Sequence, residues 1–139
     1  MLAIVCGLVV LAISGCGDLS RDELNRGVES IAAIAAQGRL VANGVARDAT
    51  KSTYARVMAK TLGGEAEHEA EKLADAEPEA ATRPERHAAV RIAGELADLF
   101  TELQTFPGDE HHGAVIERHM GEVEEQANAV VARLTGEPQ

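Results

Sequence analysis

The sequence predicts an all-α protein, an up-down-up-down antiparallel four-helix bundle behind an N-terminal apolar segment. Three observations lead there. Apolar and small residues recur at steps of three and four through most of the chain, the spacing of a helix seam packed in a bundle. The connections between these stretches are short, which makes consecutive helices antiparallel neighbours. No alternating, strand-like run follows Cys16.

The chain opens with MLAIVCGLVVLAIS, an apolar run without a charge. At about 14 residues it falls short of the roughly 20 that span a bilayer, and it has the length of a signal-peptide core. Helix one is expected over about 20–46, starting at the capping-box spelling Ser20-Arg21-Asp22-Glu23. Its seam is Leu24, Val28, Ile31, Ala35, Gly38, Ala42 and Val45. Asn43-Gly44 weakens its end, and a turn belongs at about 46–50. Helix two is expected over about 50–76, with Ala55, Ala59, Leu62, Ala66, Glu69 and Leu73 in the seam. It is the weakest stripe. Gly63-Gly64 costs it about 2 kcal/mol of helix propensity and predicts a kink or break.

Pro78 and Pro84 bracket a linker. Thr82-Arg83-Pro84-Glu85 then gives a second capping box for helix three, over about 83–106. That helix carries Ala89, Ile92, Leu96, Leu99, Leu103 and Phe106, widened by Ala93 and Phe100. Asp109 caps helix four, over about 109–135, with Ile116, Met120, Val123, Ala127, Val130 and Leu134 inward and Gly136 and Pro138 as stops. The alternative architecture fuses helices one and two into one long helix that packs as an oligomer. The whole chain has two Phe, one Tyr and no Trp, so the core is thin and modest stability is expected.

Ile13-Ser14-Gly15-Cys16 closes the apolar run: an aliphatic residue, two small ones and a cysteine. These four residues resemble the bacterial lipobox. The resemblance implies a signal peptide over 1–15, cleavage between Gly15 and Cys16, diacylglyceryl on Cys16 and a lipidated tether over 16–19 ahead of a bundle over 20–136. One feature departs from the pattern. No Lys or Arg precedes Arg21, whereas signal peptides open with one, which leaves open both a start upstream of Met1 and the alternative of a buried N-terminal helix that ends in Gly15-Cys16. Cleavage removes Cys6 and occupies Cys16, leaving no thiol for a disulfide or a thiolate metal site.

The net charge of −10 disfavours nucleic acid as a partner. It also disfavours electrostatic adhesion to anionic lipid, so lipid on Cys16 carries the attachment. Glu65–Glu79 holds seven acids and one lysine, and Asp109–Glu125 six acids and one arginine. An antiparallel bundle puts these two zones at opposite ends, which reads as general solubility rather than one cation funnel.

His111, His112 and His119 are the candidate metal residues, for Cu or Zn. His111-His112-Gly113-Ala114 resembles the His-His-x-x-Ala spelling of a family of secreted helical copper-associated proteins, a likeness a few residues long. Glu65-Ala66-Glu67-His68 has the Glu-x-x-His spelling of di-iron bundles, but its second copy is missing and the seam turns Glu65 and His68 away from the core. No catalytic constellation is present, and no enzyme is expected. The Ala-, Glu- and Arg-rich helices are similar in style to small α-helical lipoproteins of high-GC bacteria. The expected function is a membrane-anchored envelope lipoprotein that binds or spaces a protein partner without catalysis. The alternative is a Cu/Zn-binding bundle.

Overall fold

The computed structural model describes residues 19–136. The expectations for the lipobox, the cleavage point at Gly15 and Cys16, and Pro138 lie outside the described residues. Four helices form the bundle: α1 (Arg21–Ala46), α2 (Ser52–Asp75), α3 (Arg83–Thr105) and α4 (Glu110–Thr135), with a 3-10 turn at Ala80–Thr82. The antiparallel four-helix bundle expected from the seams is the observed fold. Its most extensive pairings are α1 with α4 and α2 with α3, and thinner contacts join the two pairs.

The α1 seam is buried throughout, from Leu24 to Val45, and Gly27, Ile34 and Val41 join it. Ser20 starts the helix as its spelling predicts. Its hydroxyl accepts from the Glu23 N–H, and the Glu23 carboxylate accepts from the Ser20 N–H at 3.0 Å. Helices α1 and α2 are separate. Arg47 to Lys51 turn the chain with Asp48 at φ 50°, a conformation that a short polar side chain tolerates. The Gly44 carbonyl accepts from the N–H groups of Ala49 and Thr50, which fastens that turn.

Helix α2 runs unbroken through Gly63-Gly64. Tertiary packing overrides propensity there. Gly63 is buried against Phe100 of α3, and a β-carbon on it would lie 3.1 Å from Phe100 Cβ. Glycine at that position brings α2 and α3 close enough to bury the largest core side chain. Two further expectations fail. Thr82 does not cap α3. The 3-10 turn leads straight into the helix, so Thr82 is buried and its hydroxyl donates back to the Glu79 carbonyl. Phe106 is not in the seam. Helix α3 ends one residue earlier, and the ring is 41% exposed.

The core holds 28 buried apolar residues, nine of them alanine, among the described residues. Each alanine in place of leucine forgoes about 2 kcal/mol of apolar burial. Small residues instead bring backbones together. A β-carbon on Gly113 of α4 would lie 2.7 Å from the Ala46 nitrogen and 3.1 Å from the Ala42 carbonyl oxygen of α1. One on Gly38 of α1 would lie 2.6 Å from the Phe100 ring and 2.8 Å from Met120 Sδ. Phe100 therefore fills the centre, walled by two glycines from different helices.

Candidate functional site

The turn between α3 and α4 places the candidate histidines at one end of the bundle. Asp109 caps α4, accepting from the His112 N–H at 2.9 Å. This bond, then the His112 side chain, holds the Asp109 carboxyl below the usual carboxylate range. The His112 ring stacks on Phe106, with centroids 4.1 Å apart and planes 17° from parallel. Its Nδ1 stands 3.1 Å from Asp109 Oδ1 without hydrogen-bond geometry. His111 is exposed beside it, edge-on at 6.2 Å between centroids. His119 lies two turns further along α4 and is half-buried.

Among the described residues, no group of three or more His, Cys, Asp or Glu side chains is gathered closely enough to hold a metal ion. His111, His112 and His119 are thus not brought into one site. His112 is engaged by Phe106 and Asp109, an arrangement that stabilises the α3–α4 turn. Glu65 and His68 are exposed on α2, as the seam implies.

The opposite end of the bundle is more elaborate than the sequence suggests. Leu19, the last residue of the expected tether over 16–19, is buried there. Its N–H donates to the Glu77 carbonyl at 2.7 Å, and it forms an isolated parallel bridge with Pro78. Beside it, Leu19, Glu23, Arg26, Lys72 and Ala76 line an open depression of about 310 Å3. The Glu23 carboxyl sits below its usual range, chiefly through the Ser20 hydroxyl and N–H, with a smaller contribution from Arg26 and Lys72.

Arg86 of α3 closes the C-terminus of α2. Its Nε donates to the Leu73 carbonyl at 2.7 Å, and its terminal nitrogen to the carbonyls of Ala74 and Ala76. Helix α2 lacks a capping glycine, so the guanidinium satisfies carbonyls that helix ends leave open. Arg133 of α4 reaches Glu85 of α3 at 3.8 Å and ties the fourth helix into the same end. Sequence reasoning missed Arg86 and Leu19. The available signal was the absence of Gly or Asn after Asp75, which leaves the end of α2 in need of a partner.

The acidic stretches lie toward opposite ends, as the antiparallel order requires. The Leu19 end itself is charge-balanced, because three other helix termini bring arginines to it. Residues 19–27, 72–87 and 131–136 carry six bases and six acids. The other described residues carry seven bases and fifteen acids, a net of −8. The surplus negative charge therefore sits on the flanks and the far end.

Two apolar side chains stand out from the outer face of α2. Tyr54 and Val57, three residues apart and so on one face, are 55% and 57% exposed. No helix of the described residues is long and apolar enough to cross a membrane. In comparisons with known proteins, no family model, no curated protein and no solved structure matches the chain.

Proposed function

We propose that the chain is a membrane-anchored envelope lipoprotein whose four-helix bundle acts as a non-enzymatic binding or structural module. The observation that carries this reading is the placement of Ile13-Ser14-Gly15-Cys16. An aliphatic-small-small-cysteine sequence closes an apolar run and stops three residues before Leu19, which is hydrogen-bonded into the bundle. A cut between Gly15 and Cys16 leaves residues 19–136, with all four helices, in the mature chain. Among the described residues, the buried core is built from the four helices and Leu19, and the apolar run of residues 1–15 has the length of a signal-peptide core. The two chains of a diacylglyceryl group suffice for stable attachment of an acidic protein that lacks an electrostatic route to anionic lipid.

The test is the intact mass of the protein recovered from the membrane fraction of cells that make it. The reading expects loss of residues 1–15 and added acyl mass on Cys16, and expects Cys16→Ser to shift the protein to the soluble fraction. A full-length, unmodified chain in the soluble fraction overturns it.

A further inference from the structure

We infer that the Leu19 end of the bundle is a lipid-apposed face, so that the anchored protein stands with its helices upright on the bilayer rather than swinging on a tether. The inference rests on the anchoring at Cys16 proposed above and adds a geometry to it. Two independent observations support it.

The first is reach. Leu19 is clamped by its bond to the Glu77 carbonyl and by burial. Cys16 precedes it by three residues, which span at most about 11 Å when fully extended. A lipidated Cys16 lies at the bilayer surface, so the end formed by Leu19, Glu77, Pro78 and the first turn of α3 is held within that distance of the head groups. A helix of 26 residues such as α4 is about 39 Å long. The Phe106–His112 end is then held roughly that far from the surface.

The second observation is charge. Laying the bundle flat brings its acidic flanks to the head groups. Standing it on the Leu19 end presents the one end where six bases balance six acids. Arg26 and Lys72 both line the open depression beside Leu19. At a lipid surface these cations meet phosphate groups, whereas Glu65, Glu67, Glu122 and Glu125 of the flanks remain in water. Repulsion from anionic lipid is least in this pose, and it falls off within a Debye length of about 8 Å at physiological salt.

The chain from Cys16 onward keeps all four helices and has Cys16 as its one thiol. It is coupled through that thiol to a maleimide lipid in vesicles of phosphatidylcholine and phosphatidylglycerol. Exposed carboxylates are then labelled with a carbodiimide and an amine and located by mass spectrometry. The expected result is several-fold slower labelling of Asp75, Glu77 and Glu79 than in the uncoupled protein, with Asp48, Glu102 and Glu110 unchanged. A Gly/Ser insert of roughly ten residues between Asp18 and Leu19, with an r.m.s. span of about 17 Å, should abolish that protection. Protection of the flank carboxylates, equal protection at both ends, or none at all overturns the inference. Because the lipid is supplied chemically, these outcomes are separate from whether cells modify Cys16.

Discussion

Replacing Gly113 with alanine probes the α1–α4 contact against an internal control. A methyl group on Gly113 lies 2.7 Å from the Ala46 nitrogen, where ordinary contact begins near 3.4 Å, and the obstruction is backbone rather than a side chain that can rotate away. Helix α4 must retreat by about 0.7 Å or distort, and such overpacking costs about 1–3 kcal/mol. Alanine also gains about 1 kcal/mol over glycine in a helix interior. With a backbone obstruction, the upper part of the cost range applies, and the net expectation is a loss of about 1–2 kcal/mol. Gly64 and Gly94 have nothing within 4 Å of a built β-carbon. Gly64→Ala and Gly94→Ala therefore keep the propensity gain and should stabilise by about 0.5–1 kcal/mol. Urea titrations followed by far-UV circular dichroism measure all three. With a slope of about 1–3 kcal/mol per molar urea, the Gly113 and Gly64 variants should separate by roughly 1 M in midpoint. Equal stabilisation of Gly113→Ala and Gly64→Ala would refute the close α1–α4 approach.

Phe100→Ala empties the space between Gly38 and Gly63 and should cost about 3–5 kcal/mol, enough to unfold much of a thin-cored bundle; a loss under about 1 kcal/mol in the same titration contradicts the central role of that ring. Arg86→Ala leaves the carbonyls of Leu73 and Ala74 without their partner. It should destabilise by about 1 kcal/mol after allowance for partial solvent screening, with hydrogen exchange rising first in the last turn of α2; uniform acceleration across all helices argues against a local cap. The Asp109 carboxyl is lowered by the His112 N–H from an ordinary value of 3.8, so its stabilisation is complete above that pH and lost as pH falls through the lower folded value. The first turn of α4 should therefore fray below pH 3.8, as read by NMR of Glu110 to Gly113, and Asp109→Asn should remove the pH dependence while retaining a cap.

The fold was legible because apolar and small residues hold the three-four spacing in α1, α3 and α4 without interruption. The Ser20 and Asp109 caps were legible for the same local reason: a side chain bonds an amide three residues away. What escaped was tertiary. Gly63-Gly64 spells a break, and only the Phe100 ring across the interface explains why the helix continues. Phe106 satisfies the seam spacing, yet the helix ends before it and the ring turns to His112. Thr82 has the spelling of a cap but sits inside a turn that already continues into α3. Arg86 is one arginine among thirteen Lys and Arg, and nothing in its neighbours says that it points back along the preceding helix. The histidines illustrate the same limit. Their spacing along α4 places them within two turns of one another, but a metal site needs convergence from several directions, and that comes from other helices.

The pairing of α1 with α4 has a consequence for how the chain acquires its structure. The partner of the first helix is the last one, so α1 has no complete burial until residues near Leu134 are available. The α2–α3 hairpin joins neighbours and closes a short loop, whereas docking α4 on α1 closes a loop of most of the chain, the slower kind of event. A polypeptide delivered from its N-terminus, residue by residue, stays open until its C-terminal turns emerge. Under the proposed lipoprotein reading the chain is threaded through a membrane before it folds, and that order of assembly keeps the α1–α4 layer unmade for as long as the threading lasts.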